Sequence, residues 1–155
     1  MIGDLLWLQR HRPLSDRVGW RFEQGYNYSY EDETWNIVIE ELLRNWIIYS
    51  PADTATEFAK YIDDPEYRIA ILNTFPTPNP ASFIPILIGL ISKAQELTNE
   101  EVIWLVTGTA DIVSSEAESM LNDLDRQVRG RSEAIDRSLD TAWKRRGMID
   151  LWSGQ

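Results

Sequence analysis

The sequence contains no cysteine and a single histidine, His11, among its 155 residues. Without cysteine the chain has no disulfide, no thiolate metal site and no cysteine nucleophile. A catalytic triad or a histidine-centred metal site would have to use His11, which lies in a segment punctuated by proline and glycine. Nucleophile elbows, phosphate-binding glycine loops and dinucleotide fingerprints are also absent from the sequence. We therefore predict that the protein is not an enzyme, and that it has no catalytic residues, metal, cofactor or small-molecule substrate.

Long apolar runs are lacking as well. The most apolar stretch, residues 83–91, is nine residues long, whereas a helix needs roughly twenty apolar residues to span a bilayer. The first eight residues include an acid and no basic residue, so they do not have the pattern of a signal peptide. We expect a soluble or peripheral protein. Residues 83–91 are apolar on all sides of a helix, which fits the core of a bundle, a subunit interface or a lipid-facing surface.

Positive charge is scarce, and it is unevenly distributed. The net charge is −10, but residues 1–24 hold four basic and three acidic side chains, residues 25–125 hold four and eighteen, and residues 126–155 hold seven and four. An acidic middle is therefore flanked by two mildly basic ends. Twelve of the fifteen basic residues are arginine, which binds phosphate and carboxylate groups in a bidentate manner. The basic ends could therefore bind a nucleic acid, or they could pair with the acidic middle inside the fold.

Helical periodicity dominates the chain after residue 30. We predict a mainly α fold, a helical bundle of four or more helices over residues 31–155, with an extended N-terminal arm over residues 1–30. A proline-rich connector over residues 75–81 cannot be helical and divides the bundle. No run of alternating residues indicates a sheet.

Local start signals mark the individual helices. Ser50-Pro51 and Asp64-Pro65 each place a capping residue before a proline at the first helical position. Ser82 is expected to cap an apolar helix that reaches about residue 95, and Thr98 with Glu101 has the spacing of a capping box. A single long helix is predicted over residues 114–146, with Gly130 as a point where it can kink.

That last predicted helix carries a candidate nucleic-acid-binding surface. Its apolar residues form one stripe, and a roughly opposite stripe bears the basic residues Arg126, Arg129, Arg137 and Lys144, followed by Arg145 and Arg146. Such a row can follow a phosphate backbone. The same spacing also permits ion pairs between residues four apart, Arg129–Glu133–Arg137 and Asp140–Lys144, which would leave a merely solvated helix face.

The arm carries the second candidate surface in the stretch RHRPLSDRVGWRF. It contains the four arginines Arg10, Arg12, Arg17 and Arg21. Aromatic side chains near the two chain ends would be exposed unless a partner covers them, and aromatic residues are enriched at interface cores. We therefore predict interface positions at Trp7, Trp20, Phe22 and Trp152.

An arm rich in arginine and aromatic residues, followed by a helical bundle that a proline-rich connector divides, resembles the major coat proteins of filamentous and rod-shaped archaeal viruses. The resemblance lies in the layout of the whole chain. It implies a subunit that assembles with copies of itself and wraps double-stranded DNA held in the A form. Some members of that family pair two related coat proteins or carry a lipid envelope. A net charge of −10 departs from the basic character expected of a DNA-wrapping protein, although basic ends could face the DNA.

The function predicted from the sequence is therefore that of a virion structural protein, located in the virion and in the host cytoplasm during assembly. Two alternatives remain open. The acidic middle could make the chain a small protein-binding module, such as a phage inhibitor or an immunity-type protein, that steers toward a basic partner. The chain could also be another virion component, such as a connector subunit.

Overall fold

The structure, a computed structural model, describes the backbone of residues 41–152 and the side chains of residues 41–147. The predicted arm over residues 1–30 lies outside the described residues. The chain divides into two compact units, Met1–Thr74 and Phe75–Gln155, and the division falls at the start of the predicted proline-rich connector. The described residues are mainly helical and contain no β-strand, so the predicted class, a mainly α fold with a bundle of four or more helices, is confirmed.

Three helices make up the described part of the first unit. Helix α1 covers residues 41–49, α2 runs over Pro51–Ala59 and α3 over Pro65–Thr74. Ser50 is the N-cap of α2 and Pro51 occupies its first turn, as the sequence predicts. Before α3, the carboxylate of Asp64 accepts the backbone N–H of Glu66 at 3.0 Å. The positions of both helix starts are confirmed, although the Ser50 side chain itself makes no capping hydrogen bond.

The corner between α1 and α2 is held by a buried threonine. Thr54 donates its hydroxyl to the carbonyl oxygens of Ser50 at 2.7 Å and of Trp46 at 3.0 Å. Both carbonyls also accept a backbone N–H, that of Ser50 at Trp46 and that of Thr54 at Ser50, so the hydroxyl adds a second hydrogen bond at each and fixes the angle between the two helices. The buried apolar residues of this unit come from all three helices: Leu43, Ile47, Ala55, Phe58, Ala70, Ile71 and Leu72.

Four helices form the second unit: α4 over Ile84–Ser92, α5 over Asn99–Ala110, α6 over Ala117–Val128 and α7 over Glu133–Trp152. Two short 3₁₀ turns, Ala81–Phe83 and Ala94–Glu96, flank α4. Helix α5 packs against α4, α6 and α7 and so lies at the centre of the unit. Its predicted capping box is confirmed: Thr98 accepts the N–H of Glu101 at 3.2 Å, and the Glu101 carboxylate accepts the N–H of Thr98 at 3.0 Å.

Helix α4 is shorter and more one-sided than its sequence suggests. Ser82 lies in the 3₁₀ turn, the N-cap is Phe83, and the helix ends at Ser92 rather than near residue 95. Ile86, Leu87, Leu90 and Ile91 are buried, whereas Ile88 is exposed. Most of the apolar stretch therefore packs in the core of its own unit.

The predicted single helix over residues 114–146 is wrong. It is interrupted at residues 129–132, where Gly130 adopts a positive φ of 86° that other residues rarely adopt. Helices α6 and α7 consequently form a hairpin, and the basic residues of the two helices do not lie along one helical surface.

The proline-rich segment is built into the second unit. Asn79 forms an isolated parallel bridge with Ile112: the N–H of Asn79 donates to the carbonyl of Asp111 at 2.8 Å, and the N–H of Val113 donates to the carbonyl of Asn79 at 2.9 Å. The Asn79 side chain also donates to the carbonyl of Gly108 at 3.0 Å. The segment therefore fixes the end of α5 in place.

Candidate nucleic-acid interface

The hairpin between α6 and α7 is closed by Asp125. Arg129 donates from Nε to Asp125 Oδ1 at 2.7 Å and from Nη2 to Oδ2 at 2.9 Å, a bidentate pair. Trp143 of α7 donates its indole N–H to Asp125 Oδ2 at 2.8 Å, and Arg129 Nη1 donates to Asp140 Oδ1 at 3.1 Å. One carboxylate and one guanidinium therefore connect the two helices.

These contacts change the acidity of the pair. The hydrogen bond from Arg129, followed by that from Trp143, lowers the pKa of Asp125 below its ordinary value, while desolvation opposes the shift. The pKa of Arg129 is raised, chiefly by its hydrogen bond to Asp125. Both groups are charged at neutral pH, and their charges largely cancel at this site.

Arg126 and Arg137 form ion pairs on the exposed surface. Arg126 pairs with Asp123 three residues earlier. Arg137 pairs with Glu133 at 3.7 Å, and the two side chains are 74% and 85% exposed. Pairs of this kind are worth little and are screened by salt, so both cations remain accessible to a stronger anionic partner.

Arg145 forms an ion pair with a buried carboxylate. Its Nη2 lies 2.5 Å from Oδ1 of Asp111, whose side chain is only 3% exposed. Asp111 Oδ1 accepts no hydrogen bond, so this contact is an ion pair. Thr77 donates its hydroxyl to the other carboxylate oxygen, Oδ2, at 2.8 Å. Asp111 thus joins α5, α7 and the proline-rich segment.

Arg146 does not lie on a surface. It is buried, and its Nη1 donates to the carbonyl oxygens of Ala110 and Ile112, each at 3.3 Å. The prediction that Arg146 contributes to an exposed basic surface is therefore wrong. A guanidinium in this position caps the carbonyl end of α5, where the helix dipole favours positive charge.

The region around Arg146 is polar but incompletely paired. Among the described residues, four buried side-chain atoms lack a hydrogen bond: Asn79 Oδ1, Thr109 Oγ1, Asp111 Oδ1 and Arg146 Nε. All four belong to residues at or beside the end of α5. Because buried polar groups without partners are costly, the packing here depends closely on the ion pair and the backbone bonds already described.

Arg131, which the sequence did not single out, binds backbone rather than acid. It donates to the carbonyls of Leu97 and of Ala94, the latter at 3.1 Å, and so connects the α6–α7 turn to the 3₁₀ turn that follows α4.

Lys144 is exposed and has no ion-pair partner among residues 41–147. The predicted Asp140–Lys144 pair is wrong, because Asp140 pairs with Arg129 instead.

The candidate surface is therefore largely neutralised within the second unit. The interpretation that the basic C-terminal residues pair with the acidic middle of the chain is confirmed for Arg126, Arg129 and Arg145. The other candidates, Arg10, Arg12, Arg17, Arg21, Trp7, Trp20 and Phe22, lie outside the described residues. Trp152 is the last residue of α7, and its side chain is likewise outside the described part.

Asp111 and Asp125 are the residues that sequence reasoning missed. Asp111 had one available signal: it follows the last turn of α5, where the helix dipole disfavours a negative charge unless a cation compensates for it. Asp125 had a weaker one, its four-residue spacing from Arg129. Neither signal identifies Arg145 or Trp143 as the partner, because those contacts depend on how α7 packs.

A second feature concerns the first unit, where α1 is apolar on two sides. Leu43 and Ile47 are fully buried, whereas Leu42, Ile48 and Tyr49 are 46%, 58% and 82% exposed. At 100° per residue the three exposed side chains fall on one side of the helix. Large apolar side chains grouped on a surface are characteristic of interaction sites.

Among the described residues, no group of three or more histidine, cysteine, aspartate or glutamate residues is arranged to hold a metal ion. A groove of about 470 Å³ lies between α4 and α6, lined by Ile88, Ile91, Met120 and a few polar residues, but its charged pair, Asp123 and Arg126, is already engaged. None of the described helices is long and apolar enough to cross a bilayer.

Comparison of the chain with protein-family models, with curated proteins and with solved structures finds no match.

Proposed function

We propose that the chain is a virion structural protein, a coat subunit that assembles with copies of itself around double-stranded DNA. The observation that carries the assembly part is the exposed apolar side of α1, formed by Leu42, Ile48 and Tyr49. A side chain as large as Tyr49 that is 82% exposed gains stability when a second molecule covers it. A second, related coat protein or a lipid envelope could provide further cover in an assembled particle.

The DNA-binding part of the proposal rests on the arm arginines. Arg129 and Arg145 each bind carboxylates of the second unit, and Arg146 binds backbone carbonyls. Moving these guanidinium groups onto phosphates would leave Asp111 and Asp125 without their cations, at a cost in stability. We therefore assign the main phosphate contacts to Arg10, Arg12, Arg17 and Arg21, with Arg126, Arg137 and Lys144 as exposed secondary contacts. Binding of this kind is electrostatic and independent of sequence.

One experiment tests both parts. The purified protein is examined by light scattering and by electron microscopy, with and without linear double-stranded DNA. We expect filaments that contain DNA for the native chain. Replacing the four arm arginines by glutamine should abolish DNA incorporation, while circular dichroism shows that the helices remain folded.

A second variant isolates the assembly surface. Leu42→Ser, Ile48→Ser and Tyr49→Ser together should prevent filament formation but leave short DNA fragments bound. The matched control changes two exposed residues to serine, Thr56 of α2 and Lys60 directly after α2, and should behave as the native chain. Filaments that still contain DNA after loss of the arm arginines would refute the assignment of the phosphate contacts.

The acidic protein-binding module is favoured by a different observation. Glu96, Glu100 and Glu116 are exposed and form no ion pair with any cation of residues 41–147. Exposed carboxylates without partners can steer a basic protein. A monodisperse monomer that is indifferent to DNA would support this alternative over the coat subunit.

A further inference from the structure

The apolar pattern of α6 and α7 continues in phase across the turn that separates them. Val128 and Ile135 are seven residues apart, close to two turns of a helix, and both are fully buried, as are Leu121, Leu124 and Leu139. A single uninterrupted helix would therefore keep all five side chains on one side. Residues 129–132 contain no proline, so only Gly130 disfavours helix there.

The interactions specific to the turned conformation are made by Gly130, Arg131 and Ser132. Arg131 donates to the carbonyls of Ala94 and Leu97. Gly130 adopts its positive φ, and its N–H donates to Asp136 Oδ1 at 2.8 Å. Ser132 accepts the N–H of Ile135 at 3.1 Å and so caps α7. The pair between Arg129 and Asp125 is four residues apart, a spacing that a continuous helix preserves.

By contrast, losing the contacts of α7 with α5 would strongly destabilise the folded protein. Arg145 neutralises the buried Asp111, and the buried Arg146 binds the carbonyls of Ala110 and Ile112. If α7 swung away from its own α5, these groups would be left without partners, which is strongly unfavourable. They would be satisfied again if α7 of another molecule occupied the same place.

We propose that the second unit forms a domain-swapped dimer, with residues 129–132 as the hinge. In that dimer α6 and α7 of each chain join into one helix from Ala117 to Trp152. The α7 part packs on α5 of the second copy, and the exchange is reciprocal. Contacts of Asp111 and Asp125 with α7 are remade between chains, so the two forms differ mainly at the hinge.

The exchange involves the second unit alone. It depends neither on DNA nor on the exposed side of α1, and its test is therefore separate from that of the proposed function. Because two chains combine, the fraction of the exchanged form must rise with protein concentration.

Two substitutions move the equilibrium in opposite directions. Gly130→Ala strains the turn, since alanine rarely adopts a φ of 86°, and it favours the continuous helix. Glu133→Pro is compatible with the first position of α7 in the hairpin but breaks a helix that continues through it. The controls are Gly147→Ala, where an added Cβ meets nothing within 4 Å and the φ is ordinary, and Glu133→Ala.

The measurement is a distance within one chain. The absence of cysteine allows spin labels to be attached at Asn122→Cys and Lys144→Cys, both exposed positions. Labelled protein is diluted with unlabelled protein so that only distances within a chain are observed by double electron–electron resonance. The continuous helix places the two sites 22 residues apart, about 33 Å, whereas packed antiparallel helices place them within about 20 Å.

We expect the native chain to show the short distance with a minor long one that grows with concentration. Gly130→Ala should increase the long-distance population about tenfold relative to the native chain and to Gly147→Ala, and Glu133→Pro should remove it. The proposal is overturned if folded Gly130→Ala shows only the short distance up to about 1 mM protein. If Gly130→Ala does not fold, the comparison of the native chain with Glu133→Pro decides. The proposal is also refuted if the long distance persists in Glu133→Pro. It is refuted as well if the native chain shows no long distance at the highest concentration.

Discussion

Arg145 of α7 lies 2.5 Å from the carboxylate of Asp111, the residue that follows α5. The two partners differ in environment, because the Asp111 side chain is buried whereas that of Arg145 is 38% exposed. Thr77 holds the second oxygen of the same carboxylate. Three parts of the second unit that are distant in sequence therefore meet at one buried charge, and the position of α7 depends on it.

Loss of the Arg145 cation should destabilise the second unit. Arg145→Gln leaves Asp111 buried with only Thr77 as a side-chain donor, and we expect a loss of about 2–3 kcal/mol in the free energy of unfolding. Urea denaturation followed by circular dichroism measures it. The matched control is Arg137→Gln, which removes an exposed ion pair and should cost less than about 0.5 kcal/mol. Equal losses in the two variants would show that the Asp111 pair has no special role.

The ring of Phe75 lies close to the backbone of Gly108 in α5. A Cβ atom at residue 108 would lie 2.6 Å from Cδ2 of Phe75, whose ring packs edge-on against Phe83 with centroids 5.3 Å apart. Gly108→Ala must displace that ring, and we expect it to cost about 1–3 kcal/mol. Gly89→Ala is the control: nothing lies within 4 Å of its added Cβ, and alanine should stabilise α4 by about 0.5–1 kcal/mol. Thermal unfolding of both variants gives the comparison, and a stabilised Gly108→Ala would contradict it.

Local signals in the sequence were sufficient for most helix starts. The capping box of Thr98 and Glu101, and the prolines at residues 51 and 65, act through backbone groups within one turn of the chain. These predictions hold because no distant contact is needed for them. The mainly α class follows from the same periodicity and is confirmed.

The predictions from the sequence failed where contacts with other parts of the chain determine the structure. The pattern around Gly130 is helical in spacing, but Arg129 and Asp136 stabilise a turn there, and the helix is broken. Arg146 has the same sequence signature as Arg145, yet it is buried and donates to the carbonyls of Ala110 and Ile112 at the end of α5 and just beyond it. Periodicity reports which side of a helix is apolar, and it does not report which cations the packed helices will cover.

Asp125 predicts a pH dependence of stability. Its pKa is lowered in the folded chain, chiefly by Arg129 and then by Trp143, so the unfolded chain binds the proton more readily. The contribution is complete well above the ordinary pKa of 3.8 and is lost as the pH falls toward the lower folded value.

Asp125→Asn should therefore lower stability at pH 7 by about 1–2 kcal/mol, and the difference from the native chain should shrink below about pH 4. Urea midpoints measured between about pH 2.5 and about pH 7 test this. Asp123→Asn, whose carboxylate forms an exposed pair with Arg126, should change stability by less than about 0.5 kcal/mol at neutral pH. A pH-independent effect of Asp125→Asn would exclude the linkage.

The salt dependence of DNA binding distinguishes the arm from the helices. Each phosphate neutralised by a cation contributes about 0.9 to the slope of log K against log salt concentration. If Arg10, Arg12, Arg17 and Arg21 all contact phosphates, replacing them by glutamine should reduce the slope by about 3.6.

The matched set on the helices is Arg126→Gln, Arg137→Gln and Lys144→Gln, which removes exposed charges without touching the Asp111 or Asp125 pairs. Because the proposal gives these cations only a secondary part in binding phosphate, we expect the slope to change by less than about 1. Fluorescence anisotropy with a short duplex, titrated at several salt concentrations, gives both slopes. A large change for the helix set together with none for the arm set would place the phosphate contacts on α6 and α7 instead.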